Sequence, residues 1–265
     1  MQIPKNKFKE ALQGDKKLFG IFMGIPNTTV GELCAGAGFD WVLIDGEHGT
    51  FDLQSIMAHL QTIATYPVSG IVRVVEGQTA IIKQVLDVGA QTVLIPMVDT
   101  AEQAEQIVRA CKYPPAGIRG LGTALARAAQ WNRIPDYLHK ANDEICVMVQ
   151  IETVTAVKNI DAISAVEGVD AVFIGPSDLS ASMGYVGQQD HPEVVATVCQ
   201  GIKSIKAAGK QAGVLAVTKD LVAKYSEAGA KFIGVGVDTA LFSNATKKLA
   251  AEFIEDADGN ELAGY

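Results

Sequence analysis

The sequence lacks the marks of a membrane-embedded, secreted or nucleic-acid-binding protein. No stretch reaches about 18 uninterrupted apolar residues, so we expect no membrane-spanning helix. The N-terminal segment MQIPKNKFKEALQGDKK is polar and lacks the apolar run of a signal peptide. Lys and Arg number 22 against 30 Asp and Glu, and no basic block offsets the net charge of −8. Nucleic acids and anionic membranes are therefore disfavoured as partners, whereas a small anionic substrate is compatible with one well-placed arginine.

Cysteine is also scarce and scattered. The four cysteines are Cys34, Cys111, Cys146 and Cys199, with no C-x-x-C pair and no nearby histidine at zinc spacing. We therefore expect neither a zinc site nor a disulfide framework. Buried free thiols in a reducing cytoplasm are the favoured interpretation. The hydrophobic fraction of 48% and the charged fraction of 20% are those of a folded protein with a sizeable core.

What the sequence does contain is a repeated alternation of apolar runs and helical patterns. Each run is rich in Val, Ile, Leu and Phe and is bounded by Gly, Asp or Pro. The runs are apolar on both faces, as parallel strands covered by helices are. We predict eight strands, at about 17–25, 40–45, 69–75, 91–98, 144–152, 170–175, 211–217 and 231–237.

The residues between the runs support this pattern. A glycine near a helix end precedes a strand in AGAGFDWVLI, DVGAQTVLIP, VEGVDAVFIG and EAGAKFIGVG. Thr100 and Gln103 have capping-box spacing at a helix start. Eight strand–helix units in about 250 residues predict one (β/α)8 (TIM) barrel. A doubly wound open sheet is the alternative, although no GxGxxG follows the first strand.

We expect a single barrel domain over 1–265. The segment 113–143 is longer than a plain crossover needs, and it contains a Pro-Pro turn, a glycine-rich stretch and a helical piece. Such insertions are typical of lids or subunit contacts at the top of a barrel. The polar tail 255–265 is expected to be loose unless a partner subunit orders it.

Polar side chains follow several predicted strands at the point where the strands end. They belong to the segment DGEHG at 45–49, Arg73, the segment QIE at 150–152 and the segment GPSD at 175–178. Because the reacting residues of a barrel lie at the C-terminal ends of its strands, we expect these side chains to meet on one face. Their convergence is the main functional signal in the sequence.

Glu152 and Asp178 form a candidate metal pair. They lie one strand–helix unit apart, so neighbouring strands would hold two hard carboxylate oxygens side by side. Such a pair suits Mg²⁺, Mn²⁺ or Co²⁺ better than zinc. Taken singly, each carboxylate is more simply explained as a cap of the following helix. The presence of His48 and Arg73 on the same face favours the metal site.

His48 and Arg73 add the other elements of a catalytic site. Histidine titrates near neutrality, so His48 suits a general base. Arg73 lies in the apolar run SGIVRVV, where burial without an anionic partner is costly. That partner is either Glu152 or Asp178, in a structural ion pair, or a substrate carboxylate or developing enolate bound by the guanidinium fork. Both arrangements can hold at once.

Seven segments of the chain are distinctive: DGEHG, VRV, QTVLIPMVDTAEQA, YPPAGIRG, ALARAAQWNRIPDYL, VQIET and VEGVDAVFIGPSDLSASMGY. Together they resemble the metal-dependent (class II), pyruvate-forming hydroxy-oxo-acid aldolases, and the likeness runs over essentially the whole chain. The resemblance implies a (β/α)8 barrel of the pyruvate/phosphoenolpyruvate type, commonly a homohexamer in which a C-terminal helix is exchanged between subunits. It also implies reversible cleavage of a 4-hydroxy-2-oxo acid to pyruvate and an aldehyde. The expected substrate is 4-hydroxy-2-oxoheptanedioate, which releases succinate semialdehyde.

The resemblance further implies roles for individual residues. His48 matches the family's catalytic base, and Arg73 matches its transition-state stabiliser. Glu152 and Asp178 match the ligands of a divalent cation (Mg²⁺, Mn²⁺ or Co²⁺). Arg73 and Asp178 also match positions that contact the oxo-acid substrate.

Three further positions follow from the same resemblance. Gln150 and Ser177 match pyruvate-contacting positions, and many members have alanine where this chain has Ser177. Asp87 matches an aspartate that raises the proton affinity of the base. Asp87 is predicted near a helix C-terminus, on the side of the barrel away from its own active site. Either the strand prediction is locally wrong, or Asp87 acts on a neighbouring subunit's His48; a plain helix-end polar residue is the alternative.

Other functions stay open from the residues. A Schiff-base aldolase needs a desolvated lysine at the C-terminal end of a strand; Lys219 is the candidate, whereas Lys231 begins a strand at the wrong end. A non-catalytic oxo-acid-binding barrel would use the same pocket. A phosphate-recognising barrel would use GVGVD at strand eight, but no Lys or Arg adjoins it. Sugar-acid aldolases of the same family share the pyruvate end, so the aldehyde stays open.

Overall fold

The structure, a computed structural model, describes residues 1–254. Its strands are β1 Leu18–Met23, β2 Trp41–Asp45, β3 Ser69–Arg73, β4 Thr92–Ile95, β5 Cys146–Ile151, β6 Ala171–Ile174, β7 Gln211–Leu215 and β8 Phe232–Val237. Each strand pairs in parallel with the next along the chain, and β8 pairs with β1, so the sheet is closed. The predicted (β/α)8 barrel is confirmed, and the open doubly wound sheet is wrong.

All the predicted strands are present, and each observed strand lies within its predicted limits. The predictions are longer because apolar residues just past a strand are also buried. Val74, Val98 and Ala216 are each at most 2% exposed although none of them belongs to a strand. Hydrophobicity therefore predicts where the buried segment ends, whereas the backbone pairing of the strand ends before that point.

Helices alternate with the strands around the outside of the barrel. Their bounds are α1 Lys7–Leu12, α2 Thr28–Gly36, α3 Leu53–Ile63, α4 Thr79–Asp87, α5 Ala101–Cys111, α6 Tyr137–Lys140, α7 Val154–Lys158, α8 Ile160–Ala165, α9 Pro176–Ser182, α10 Pro192–Ala207, α11 Lys219–Ala228 and α12 Asp238–Ala251. Two short 3₁₀ turns lie at Arg127–Ala129 and Ala141–Glu144.

Helix ends follow the signals expected from the sequence. The Oγ1 atom of Thr100 accepts the backbone N–H of Gln103 at 3.2 Å, and the Gln103 side chain accepts the N–H of Thr100 at 3.1 Å, which confirms the capping box. Gly89 and Gly229 have φ angles of 111° and 112° just after α4 and α11. These values lie in the left-handed region, which glycine adopts without steric cost.

The interior of the barrel is a packed core. Trp41 and Phe232 are at most 1% exposed there. Glycines face these rings: a Cβ on Gly20 would lie 2.1 Å from Cδ2 of Trp41, and a Cβ on Gly213 would lie 2.2 Å from Cε2 of Phe232. Large aromatic side chains and glycines on neighbouring strands therefore fit together and exclude solvent from the interior.

The N-terminal segment closes one end of the barrel. The Phe8 ring of α1 packs edge-to-face against Trp41 and Phe232, with centroid distances of 6.5 and 5.5 Å. Asn6 is buried, and its side chain donates to Oγ1 of Thr92, the first residue of β4, at 3.0 Å. Because this seal covers the N-terminal ends of the strands, a substrate reaches the barrel at the opposite, C-terminal end.

The segment 113–143 forms a small packing unit of its own between α5 and β5. Tyr113, Ile134 and Tyr137 are buried in it together. The predicted helical piece corresponds to the 3₁₀ turn at 127–129 and to α6. The tail 255–265 lies outside the described residues.

The cysteines agree with the prediction of free thiols. Cys34, Cys111 and Cys146 are buried, Cys199 is half-buried, and none is in a disulfide. Burial raises the pKa of Cys34 to about 11 and that of Cys111 to about 12, so both are unreactive thiols at neutral pH. Among the helices in residues 1–254, none is long and apolar enough to cross a membrane.

Candidate active site

The predicted site residues meet at the open end of the barrel. A cavity of about 350 Å³ lies at the C-terminal ends of the strands. Six of the seven residues predicted from the sequence line this cavity: His48, Arg73, Gln150, Glu152, Ser177 and Asp178. Their convergence follows from parallel pairing, which brings the ends of successive strands to one edge.

Arg73 is held by two carboxylates from the neighbouring strand and its loop. Asp45 and Arg73 are opposite one another in the β2–β3 register. Nε and Nη2 of Arg73 donate to the two oxygens of Asp45 at 2.9 and 2.6 Å, and Nη1 lies 2.9 Å from Oε2 of Glu47. The expectation that Arg73 pairs with Glu152 or Asp178 is therefore wrong, because the adjacent strand presents two closer acids.

The DGEHG segment forms a tight turn around Asp45, one of the acids of this ion pair. Oδ1 of Asp45 accepts the backbone N–H groups of Glu47 and His48 at 3.1 and 3.3 Å. The N–H of Gly46 donates to the carbonyl of Arg73 at 2.8 Å, and a Cβ on Gly46 would lie 2.7 Å from that oxygen. The turn thus needs glycine at this position and places His48 at the edge of the cavity with its side chain 48% exposed.

Glu47 is the most perturbed acid of the site. Its side chain is 14% exposed, and its Oε2 atom lies 3.7 Å from Nε2 of His48. Burial raises the pKa of Glu47 to about 7, and the neighbouring Glu152 and Asp45 carboxylates also raise it, while the Arg73 guanidinium lowers it. A buried acid with such a pKa is characteristic of functional sites.

Glu152 is buried and oriented by two donors. Its Oε1 accepts the backbone N–H of Met97 at 2.7 Å, and its Oε2 accepts from the side-chain amide of Gln150. Met97 has a φ angle of 56°, an uncommon conformation for a residue with a side chain. Burial raises the pKa of Glu152, and these hydrogen bonds oppose that shift.

Neither candidate metal ligand is a helix cap. The N-cap of α7 is Thr153, whose side chain accepts the N–H of Ala156, so Glu152 has no capping role. The N-cap of α9 is Gly175, and Asp178 lies in the first turn, three residues after the N-cap. The capping explanation of these two carboxylates is therefore wrong.

The arrangement fits a divalent cation. A Cβ on Gly175 would lie 2.6 Å from Oε2 of Glu152, so the glycine leaves open space beside that carboxylate. Asp178 lines the same cavity. The charges of Asp45, Glu152 and Asp178 and that of one arginine act on Glu47. The negative charges are in excess, and a bound cation would balance them. Within residues 1–254 no three His, Cys, Asp or Glu side chains form a complete cage, so water and substrate would supply the remaining ligands.

Asp87 does not lie in this cavity. It ends α4, as the sequence predicted, and its Oδ1 accepts from Nη2 of the fully buried Arg119 at 2.8 Å. It lines a separate cavity of about 200 Å³ together with Leu125 and Trp131. The strand prediction is thus right around Asp87, and its role toward His48 stays a prediction.

The two lysines considered for a Schiff base lie elsewhere. Lys219 is exposed at the first position of α11, where nothing desolvates its amine. Lys231 is buried, but its Nζ donates to the backbone carbonyls of Gly14 and Lys16 at the closed end of the barrel. The residues that line the open-end cavity within 1–254 include no lysine, so the geometry does not favour a Schiff base.

Sequence reasoning missed three contributors to the site. Asp45 and Glu47 appeared in the sequence analysis only as part of the DGEHG segment, although both pair with Arg73. The register of β2 and β3 is the signal for Asp45, because it places that residue directly opposite Arg73. Met97 acts through its backbone N–H, and nothing in its side chain could have indicated that role.

Comparison with known proteins finds similar sequences and structures. The family model described as HpcH/HpaI aldolase/citrate lyase matches residues 18–245. A protein of Shigella sonnei (strain Ss046) named 4-hydroxy-2-oxo-heptane-1,7-dioate aldolase is 54% identical over 249 residues, 94% of this chain and 95% of that protein. A crystal structure of an HpcH/HpaI aldolase/citrate lyase family protein from Burkholderia cenocepacia J2315 superimposes with a TM-score of 0.89 and 34% identity, covering 94% of this chain and 99% of that one. An HpcH/HpaI aldolase from Desulfitobacterium hafniense DCB-2 gives a TM-score of 0.84 at 30% identity, with 98% and 99% covered.

Proposed function

The chain belongs to the HpcH/HpaI aldolase/citrate lyase family, and from that premise we propose that it cleaves 4-hydroxy-2-oxoheptanedioate reversibly to pyruvate and succinate semialdehyde. The protein is an aldolase, a carbon–carbon lyase. The observation that carries the proposal is the meeting of His48, Arg73, Glu152 and Asp178 in one cavity at the open end of the barrel. The name shared by relatives that are 53–54% identical supports the substrate.

We assign the metal site to Glu152 and Asp178. Aldolases of this family generally depend on a divalent cation, and Mg²⁺, Mn²⁺ and Co²⁺ all suit two carboxylates with an open remainder. When bound, such a cation supplies a Lewis acid for the 2-oxo group and a template for the oxo acid. The backbone N–H of Met97 and the amide of Gln150 hold Glu152 in its ligating orientation.

The remaining cavity residues bind and orient the pyruvate half of the substrate. The side-chain amide of Gln150 donates one N–H to Glu152, and its second N–H can donate to an oxygen of the oxo acid. Ser177 lines the cavity at the start of α9, and its hydroxyl donates to Gln189 at 2.8 Å, so we assign its backbone N–H to the carboxylate of the oxo acid. We assign both residues to substrate binding.

Arg73 stabilises the charge that develops during cleavage. As the C3–C4 bond breaks, its electron pair moves into the pyruvate half and places negative charge on the 2-oxo oxygen. The guanidinium of Arg73 is buried, always charged and already oriented by Asp45 and Glu47, so it need not reorganise when that charge appears.

His48 acts as the base of the same step. It removes the proton of the C4 hydroxyl, directly or through a water, so that the C4–O bond becomes the carbonyl of the released aldehyde. Protonation of C3 of the pyruvate half then gives pyruvate. The half-exposed position of His48 at the cavity edge allows it to exchange that proton with solvent.

We propose that the active enzyme is a homohexamer in which α12 is exchanged between subunits. In the described part of the chain α12 carries the exposed apolar residues Leu241, Phe242 and Leu249, each at least 57% exposed, a pattern typical of an uncovered interface. In such an assembly Asp87 of one subunit approaches His48 of its neighbour and favours the protonated base. Gel filtration with light scattering would establish the subunit number.

A second candidate, a sugar-acid aldolase of the same family, is favoured by one observation. A cavity of about 410 Å³ adjoins the first one through Phe22 and His48, where the aldehyde half must lie. Its lining includes Thr50 and Thr239 and, within residues 1–254, neither lysine nor arginine. Hydroxyls suit a hydroxyaldehyde, whereas the carboxylate of succinate semialdehyde needs a cation. Values of kcat/KM for condensation of pyruvate with each aldehyde distinguish the two.

The first test needs no knowledge of the aldehyde. The protein is incubated with pyruvate in D₂O, and NMR follows exchange of the methyl protons with and without EDTA and with Mg²⁺ or Mn²⁺ restored. Metal-dependent exchange is the expected result. Exchange that survives EDTA would indicate a Schiff base, and no exchange under any condition would leave a binding protein.

A further inference from the structure

One carboxylate contacts both side chains to which the retro-aldol chemistry is assigned. Oε2 of Glu47 lies 2.9 Å from Nη1 of Arg73 and 3.7 Å from Nε2 of His48. Among residues 1–254, the ion pairs of Arg73 are those with Asp45 and Glu47, and the ion pair of the His48 side chain is with Glu47. Glu47 thus lies within ion-pair distance of both the general base and the guanidinium.

We propose that Glu47 is a positioning residue that holds His48 and Arg73 at a fixed separation, so that proton removal at C4 and charge stabilisation at the 2-oxo oxygen act on the same substrate in one geometry. This inference rests on the proposed function. It adds to that function a residue that is not part of the cavity lining.

The backbone supports this role because it leaves Glu47 little freedom. Oδ1 of Asp45 holds the N–H of Glu47 and that of the next residue, while the preceding Gly46 is bonded to the carbonyl of Arg73. The turn that carries Glu47 is therefore anchored to the same strand as its partner guanidinium. Because the backbone of this turn is fixed, a displacement of the Glu47 carboxylate would change its distance to His48.

The different contacts that Asp45 and Glu47 make with Arg73 support the proposal as well. Asp45 takes Nε and Nη2 of Arg73 in a two-bonded fork, which is sufficient to orient a guanidinium. A second buried acid on Nη1 is not needed for that purpose, and burial disfavours its charged form. Glu47 faces Arg73, Asp45, Glu152 and Asp178 as well as His48, so its carboxylate lies in a strongly negative environment. Joining the base to the guanidinium explains why an acid is placed there.

Two reactions, assayed with the holoenzyme, would separate this role from a purely structural one. Retro-aldol cleavage needs both His48 and Arg73. Decarboxylation of oxaloacetate breaks the bond between C3 and the terminal carboxylate, releases CO₂ and leaves the electron pair in the same pyruvate half, which is then protonated at C3. That reaction has no hydroxyl proton to remove, so it needs the guanidinium and not the base.

The test compares kcat and KM of both reactions in Glu47→Gln, at saturating Mg²⁺. We expect kcat for cleavage to fall about 10²-fold, the cost of a misplacement near 1 Å, while kcat for decarboxylation falls less than about tenfold and KM for either substrate changes little. Glu47→Asp keeps the charge and shortens the side chain by one methylene, and it should show the same imbalance. His48→Ala serves as the reference for loss of the base, and Asp220→Asn, an exposed acid paired with Lys224 on α11, serves as the matched acid-to-amide control.

Equal losses in the two reactions would show that Glu47 supports only Arg73, and unchanged rates would show that it has no role; either result overturns the proposal. If Glu47→Gln does not fold, Glu47→Asp decides by the same ratio of the two rates. Failure of the proposed function looks different, since the unaltered protein would then not cleave the 4-hydroxy-2-oxo acid.

Discussion

Replacement of Arg73 by alanine is the most informative single perturbation of this site. It removes the guanidinium that donates twice to Asp45 and lies 2.9 Å from Glu47, and it leaves the two acids without their cation. Removing a preorganised donor to a developing oxyanion costs about 10²–10³ in rate. We therefore expect kcat for aldol cleavage to fall by at least about 10².

The same change also lowers stability, and its size follows from burial. Arg73 is 5% exposed and Asp45 is 6% exposed. Removing one partner of a buried ion pair costs about 3–5 kcal/mol. For a chain of this size each kcal/mol shifts Tm by roughly 2–4 °C, so we expect a fall of about 6–20 °C.

The assay keeps these two effects apart. Pyruvate release is measured at 25 °C at saturating substrate and Mg²⁺, after circular dichroism has shown that the variant is folded at that temperature. Arg109→Ala, which removes an exposed arginine from α5, is the matched control and should leave both kcat and Tm unchanged. A folded Arg73→Ala variant with kcat within tenfold of the unaltered protein would refute the assignment of Arg73 to transition-state stabilisation.

Three further predictions concern other parts of the structure. Because burial raises the pKa of Glu47 from 4.5 to about 7, the folded state binds its proton more tightly than the unfolded chain, so this residue lowers stability as pH rises from 4.5 to 7. In metal-free protein, Glu47→Gln should remove up to about 3 kcal/mol of this decline in the free energy of unfolding. Urea unfolding at pH 5 and pH 7.5 measures the decline, and an equal decline in the variant and the unaltered protein would contradict the prediction. Glu152→Gln should abolish the rise in Tm that Mg²⁺ produces, since a ligand at 100 times its Kd stabilises by about 2.7 kcal/mol, and a retained rise would exclude Glu152 as a metal ligand. Gly20→Ala places a Cβ 2.1 Å from Trp41 and should cost at least about 1–3 kcal/mol in urea unfolding, whereas an unchanged midpoint would show that the barrel interior can repack.

Much of the fold could be predicted from the chain because the signals are local. Residues such as Val42 and Val93 lie in runs buried on both faces, and a run of this kind has few folded alternatives to a parallel strand. The capping box at Thr100 and the left-handed Gly89 end or begin helices through contacts only a few residues apart. Such features depend on neighbours in sequence, so reading along the chain finds them.

Only some residues of the candidate site could be predicted from the sequence in the same way. His48, Glu152 and Asp178 follow strands, and parallel pairing is enough to bring them to one face. The ion-pair alternative for Arg73 named the wrong acids, because a charged side chain pairs with whatever acid the register places closest. The register of two strands is a property of the closed sheet and not of either strand alone.

The sequence by itself determined the eight strands, their parallel direction, the free cysteines and the set of polar residues at the strand ends, because periodicity and glycine placement act over short distances. Only the tertiary structure decided that the sheet closes, that Asp45 and Glu47 hold Arg73, that the backbone of Met97 orients Glu152, and that Asp87 pairs with Arg119 outside the cavity. These outcomes depend on distances between segments far apart in sequence. Such distances exist only once all the strands are packed around one core.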